Sequence, residues 1–423
     1  MMRMLSYCFM LLLFSAGALH AEPLTLAQAL AKRGATSQTL KIAAYDERIA
    51  DENIRLNRSG YLPRVDIQGG YTAQQAPQAV EAPLVGSFDT QDPDFSFASL
   101  AITQTIYDFG RTGARYDRAK ALSEAARFNY KSQEQDIFLR TVISYFRILQ
   151  TQKLLQAADE EVTQMTDHLR VAQNLFEQGV VTRNDLLQAE VRLSSSRQRR
   201  LETANILDNT WLDLNNQIGE PPEYRNELVE EAKIDLTALE KPVSDVIAGR
   251  AEIQAQRKLL SANELEVKET RSGYYPELFA KLGLDYVENS KVKEQAIMAA
   301  TVGLKVNIFD GFATTSRFRQ AVQNRARTDE RLHQLETDLA LDYRTALNDA
   351  KVAKERIAVT ETSIKQGEEN LRINRDRYQE QVGTATDVID AQTLLTQIKN
   401  DHYQAIFDYE VALSRVKRAR GEL

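Results

Sequence analysis

One stretch of this chain occurs twice at fixed length, and that duplication limits the folds open to it. The first copy runs from Ile106 to Ala189 and the second from Ile308 to Ala391. Each opens on an aromatic–acidic–glycine turn, Ile106-Tyr107-Asp108-Phe109-Gly110 and Ile308-Phe309-Asp310-Gly311-Phe312. Each closes on an aromatic, an aspartate and an alanine: Phe176, Asp185, Ala189, then Tyr378, Asp387, Ala391. Corresponding residues are 202 positions apart at every one of these points. Connecting loops tolerate length drift, so a constant length means that the distance itself matters.

The stretch between the landmarks reads as one helix. Phe138, Val142, Tyr145, Phe146 and Leu149 share one helical face. None of the nine prolines falls between Pro93 and Pro221 or after Pro276, and proline costs a helix interior about 3 kcal/mol. Arg111 to Phe176 is 66 residues, roughly 100 Å at about 1.5 Å per residue. A front helix, Leu24–Ser59, and a return helix, Asn184–Gln217, have 36 and 34 residues. Stacked end to end, they match the long helix and can run antiparallel beside it. The second copy has a front helix from about Val243 and a return helix over Thr386–Ala419.

The front helices end at Ser59-Gly60-Tyr61-Leu62-Pro63 and Ser272-Gly273-Tyr274-Tyr275-Pro276, where glycine stops the helix and proline forbids its continuation. These landmarks are 213 apart, so the first copy carries 11 extra residues, localised to Thr72–Phe95. That segment reads as an exposed acidic loop. Around it lie alternating strands: Val65, Ile67, Gly69 and Tyr71; Ala98 to Ile106; Leu278 to Tyr286; Met298 to Ile308. Their length of about ten residues with one apolar face fits bilayer-spanning barrel strands. A soluble hairpin over a core fits the pattern equally. Two hairpins cannot close a barrel, and open edges do not sit in lipid, so membrane entry requires several chains to share one barrel.

Met1 to about Ala21 reads as a secretory signal: Arg3, an apolar run from Met4 to Phe14, then small residues. Cleavage follows Ala18 or Ala21, with Ala21 favoured. The one cysteine, Cys8, lies in it, so the mature chain has no disulfide or thiol chemistry. A formal net charge of −7 argues against a nucleic-acid partner. His20, His168, His333 and His402 are scattered without metal-ligand spacing. There is no glycine-rich phosphate loop, and acidic pairs such as Glu160-Glu161 sit on charged helices. The chain reads as a non-enzyme with no cofactor.

In order and spacing, the signal, the duplicated Ser-Gly-Tyr-x-Pro, the Ile-aromatic-Asp turn and the helix tips resemble the TolC family of outer-membrane efflux proteins. The resemblance covers essentially the whole mature chain. It implies a mainly α fold with membrane β-structure: a homotrimer pooling four strands per chain into a 12-stranded β-barrel. The barrel sits on a long α-helical coiled-coil tunnel in the periplasm, with two structural repeats per chain. The corresponding organisation is signal 1–21, first repeat 22–217, connector 218–242 and second repeat 243–423. The implied function is a passive duct in the outer membrane of a Gram-negative bacterium, serving efflux or type I secretion. Its partners would be a periplasmic adaptor protein and an inner-membrane pump. A periplasmic coiled-coil scaffold that never enters lipid is the competing reading.

The resemblance also marks site residues. The tips Gly179, Val180, Thr182 and Gln381, Val382, Gly383, Thr384 would dock the adaptor. Gln381 stands where the family pattern has glycine, and Gly383 where it has an arginine that helps lock the tunnel end. Tyr378 and Asp185 match the aromatic and the aspartate that link neighbouring helices there. Asp387 and Asp390 match the aspartates of the family's constriction. At i, i+3 they share one helix face, and three-fold symmetry would make them two cation-attracting rings. The plain alternative is a solvated helix start, where the dipole favours acidic groups.

Overall fold

The computed structural model describes residues 23–83, 86–230 and 240–423. The signal segment, with Cys8 and His20, lies outside them, as does part of the connector. The elements are α1 (Leu26–Thr36), α2 (Gln38–Arg58), β1 (Arg64–Ala73), β2 (Ala79–Ala82), β3 (Gly86–Asp89), β4 (Asp94–Tyr107), α3 (Arg111–Glu177) and α4 (Arg183–Ile218). There follow α5 (Val243–Gly249), α6 (Ala251–Arg271), β5 (Glu277–Val287), β6 (Ala296–Lys305), α7 (Ala313–Gln379) and α8 (Ala385–Ala419). The described residues form two compact units: those within 23–36, 140–230 and 356–411 in one, those within 37–139, 240–355 and 412–423 in the other.

The long helices α3 and α7 each have 67 residues and start 202 positions apart. Each is launched by the same device. Asp108 Oδ2 accepts from the Thr112 amide at 2.8 Å and its hydroxyl at 2.6 Å; Asp310 does the same for Thr314 at 2.9 and 2.7 Å. The two residues after each aspartate are left-handed: Phe109 and Gly110 at φ +55° and +85°, Gly311 and Phe312 at +64° and +67°. Each copy places its single glycine at a different one of these two positions. The turn needs two left-handed residues, and the phenylalanine carries the strain of the other.

The front helices depart from expectation. Each is broken in two, at Ser37 and at Arg250, 213 positions apart. Ser37 is buried, and its hydroxyl accepts from the Leu40 amide at 3.2 Å, starting α2 afresh. Arg250 is extended at φ −68°, ψ 133°, and its buried guanidinium is anchored elsewhere. It donates to Glu252 at 2.9 Å and to the Ala419 carbonyl at 2.8 Å. Arg418 also donates to Glu252 and, at 2.8 Å, to Asp136. This ionic node fixes the end of α8 in the second unit.

In that unit β1, β4, β5 and β6 form one antiparallel sheet in the order β1-β4-β5-β6. Its register aligns Val65, Ile102, Leu282 and Ala300 in one row and Ile67, Leu100, Leu284 and Met298 in the next. Side chains two apart along a strand share a face, so these rows make one apolar face. Ile67 and Met298 are each 83% exposed, and Val302 is 75% exposed. The opposite face reads Asp66-Ala101-Gly283-Ala299 and Gln68-Ser99-Asp285-Ile297. The last strand is shorter than expected, ending at Lys305, with Ile308 exposed beyond it. The inserted segment is not a plain loop: β2 and β3 pair within it as a short ribbon. Among the described residues, no helix is long and apolar enough to cross a membrane.

In the first unit two segments of the chain are held by one fully buried tyrosine. Tyr145 Oη lies 2.8 Å from the carbonyls of both Leu24 and Val229, sharing its one proton between them, and accepts from the Val229 amide at 3.0 Å. Tyr343 holds Lys241 in the same manner in the other unit, accepting from its amide at 2.8 Å. These clamps pin the connector segment on either side of residues 231–239.

Candidate functional site at the helix tips

The tips belong to the first unit. Leu175 and Arg377, the last-turn residues of α3 and α7, accept from Val180 and Val382 at 2.9 Å each. Gly179 donates to Phe176 at 2.9 Å and Gln381 to Tyr378 at 3.2 Å. Both helices therefore end in the same six-residue loop closed by a left-handed residue. That residue is Gly179 (φ +74°) in one tip and Gln381 (φ +63°) in the other. The expected displacement of the glycine to Gly383 is not a displacement of its role. Gly383 serves a close approach instead: a Cβ there would lie 3.1 Å from Arg377 Cβ and 3.2 Å from the Tyr378 amide nitrogen.

The return helices start with paired caps. Thr182 Oγ1 accepts from the Asp185 amide at 3.3 Å, and Asp185 Oδ2 accepts from the Thr182 amide at 2.9 Å. Thr384 and Asp387 repeat the exchange at 3.2 and 3.0 Å. Each is a capping box satisfying helix-start amides. The bonds from Thr384 hold the Asp387 carboxyl below the usual aspartate range, backbone amide first, with Arg377 adding to the effect. Asp387 and Asp390 are exposed on one face of α8, while Val388, Ile389 and Ala391 between and after them are buried.

Tyr378 sits elsewhere than on that exposed face. It is 5% exposed and belongs to a cluster with Leu371, Ala385, Val388, Ala391 and Leu395, covered by Val171, Leu175 and Val181. The cluster joins α7 and α8 with the end of α3 and the loop that follows it. Within this chain Tyr378 Oη has no hydrogen-bond partner, and Asp185 is engaged in its cap. Burial raises the phenol's pKa, and the Asp185 carboxylate raises it further. No arginine replaces the family lock at Gly383; Arg377 instead reaches the Val382 carbonyl at 3.4 Å. Sequence reasoning missed His168, whose ring lies tilted beside Tyr378 with centroids 5.5 Å apart. It also missed the caps, although Thr-x-x-Asp at 182–185 and 384–387 is a readable signal.

One unit holds a sheet with an exposed apolar face, and the other holds the capped turns at the ends of the two 67-residue helices. A profile described as outer membrane efflux protein matches residues 28–220 and 243–422. The chain belongs to that family of outer-membrane channels. It is 24% identical to the protease secretion protein PrtF of Dickeya chrysanthemi over 86% of this chain and 82% of that one. It is 22% identical to the outer membrane protein TolC of Vibrio cholerae, over 91% and 88%. Its fold matches the outer-membrane channel OprN with a TM-score of 0.83 at 15% identity, over 94% of this chain and 90% of that one. The outer membrane protein VceC of Vibrio cholerae matches with the same score at 14% identity, over 94% and 96%.

Proposed function

We propose that three copies of this chain pool their sheets into one 12-stranded barrel, with the helices forming a periplasmic tunnel of two repeats per chain. One observation carries this reading. The four-stranded sheet presents a continuous exposed apolar face, and β1 and β6 are each paired on one side only. Lipid covers the face, and the edges pair with the next copy, since open edges are not tolerated in hydrocarbon. The helices give further support: Ile42, Tyr45, Ile49 and Leu56 form an exposed apolar stripe on α2, as a coiled-coil neighbour requires. A periplasmic scaffold would leave the sheet's apolar face in water.

The duct is passive and is not an enzyme. It docks through Gly179, Val180, Thr182, Gln381, Val382, Gly383 and Thr384 onto a periplasmic adaptor, and through that onto an inner-membrane pump. Relatives named for protease secretion and for efflux place both uses within reach of this architecture. Asp387 and Asp390 form two rings of three carboxylates at the narrow end of the resting tunnel, attracting cations and repelling anions. Tyr378 and Asp185 keep the tips closed by packing and capping.

The test is recording of purified protein in planar bilayers, with membrane extraction and gel mobility before and after heating. Heat-sensitive trimers that conduct support the reading. Monomers that neither extract from membranes nor conduct would return the chain to the scaffold class.

A further inference from the structure

Behind the tip turns, within the first unit, a cavity of about 260 Å³ opens between α3, α7 and α8. Gln164, His168, Arg375, Tyr378 and Val388 line it. His168 is 7% exposed. Three polar atoms there, Gln164 Oε1, His168 Nε2 and Tyr378 Oη, are buried without a hydrogen-bond partner. Buried polar atoms in native proteins are nearly always paired, so three around one cavity point to a shared polar occupant. Their chemistry fits a single water. The Tyr378 hydroxyl donates to it, and it donates to the Gln164 carbonyl and to the bare nitrogen of a neutral imidazole.

We propose that Gln164, His168 and Tyr378 form an acid-sensitive latch: one buried water ties α3 to α7 while His168 is neutral, and protonation of His168 breaks the tie. A proton on Nε2 turns that atom from acceptor to donor, and the water then loses one of the groups it served. The charge it brings has no counter-ion. On α3, Asp167 is paired with Arg170 at 3.2 Å. On α7, Arg375 is a second cation, donating to Gln392 of α8 at 3.3 Å. Val388 of α8 is apolar, and Asp185 of α4 acts on Tyr378 while held in its cap. Burial, and then Arg375, hold His168 below the usual histidine range. A depressed folded-state pKa means that the unfolded chain takes the proton first. Tip stability is therefore full above about pH 6.5 and falls as pH drops below it. Any effect of the latch on conductance rests on the channel reading; the latch itself does not.

The test is amide hydrogen exchange of the purified full chain in detergent at about pH 7.5 and about pH 5.5, corrected for the intrinsic rate. In the unsubstituted protein, peptides covering 164–180 and 371–388 are expected to exchange several-fold faster in acid, up to the about tenfold limit that an unfolded-chain histidine pKa of about 6.5 sets at about pH 5.5. His168→Gln, which accepts a hydrogen bond but takes no proton, is expected to lose that response. Arg375→Gln removes the opposing cation and is expected to move the midpoint to higher pH, a shift that a packing defect does not produce. Equal protection at both pH values, or an acid response that survives in His168→Gln, overturns the proposal. Should His168→Gln fail to fold, the direction of the Arg375→Gln shift decides it. An acid response in a chain that forms no pore supports the latch and refutes only the channel reading.

Discussion

Asp387 has two roles in this account, and they can be separated. Thr384→Ala removes the hydroxyl that accepts from the Asp387 amide at 3.2 Å but keeps the charge. Loss of an N-cap costs about 1 kcal/mol, which lowers the melting temperature by roughly 2 °C for a long chain. Asp387→Asn with Asp390→Asn does the opposite. Asparagine still accepts from the Thr384 amide, so the helix start loses only a few tenths of a kcal/mol. Both side chains are exposed, so no packing is lost, yet the proposed rings would lose their charge. The assay pairs thermal unfolding of the detergent-solubilised protein with bilayer recording of trivalent-cation block. Thr384→Ala is expected to melt earlier with block intact, and the asparagine pair to melt normally with block and cation selectivity lost. Unchanged block in the asparagine pair would refute the ring and leave both aspartates as a capped helix start.

Gln381→Gly relieves a left-handed side chain, worth about 1 kcal/mol, and is expected to raise the melting temperature, whereas Gly179→Val at the matching position lowers it. Gly383→Val drives a side chain against Arg377 and Tyr378; adaptor cross-linking is expected to fail while membrane trimers persist. Tyr145→Phe removes the hydroxyl that bridges Leu24 and Val229, leaving the Leu24 carbonyl only the Val229 amide at 3.3 Å, at a cost of roughly 1 to 3 kcal/mol, read as faster proteolysis near 230. Glu252 is raised by burial, but hydrogen bonds from Arg250 and Arg418 outweigh that and hold it at about 2. Its stabilisation, roughly 3 kcal/mol, is present above about pH 4.5 and lost as pH falls toward 2, and Glu252→Gln removes this acid dependence.

What the sequence disclosed was periodic. Alternation located the four strands of the main sheet, and the proline-free span located α3 and α7, because both signals are local and repeated. What it hid was set by single side chains acting at a distance. The helix breaks had weak local signals that the front-helix reading passed over, Ser37 as a helix-start residue and Gly249 before Arg250; at Arg250 the break is fixed at a distance, its guanidinium held by Glu252 and the Ala419 carbonyl. Gln381 was read as a missing glycine, although the backbone keeps the left-handed conformation there and moves only the cost. His168 looked like an isolated histidine because its partner in space, Tyr378, lies 210 residues further along the chain.

The central claim is that β1 of one copy pairs with β6 of the next in a closed ring of three. The sequence has one cysteine, Cys8, in the segment read as a signal, so the mature chain offers a clean background for introduced pairs. One cysteine scanned along Val65–Tyr71 and one along Met298–Leu304, oxidised in the membrane and run without reductant, would report the pairing directly. The account predicts, at matching registers, covalent species that stop at the trimer. A ladder continuing past the trimer, or no cross-link at any register, would contradict it.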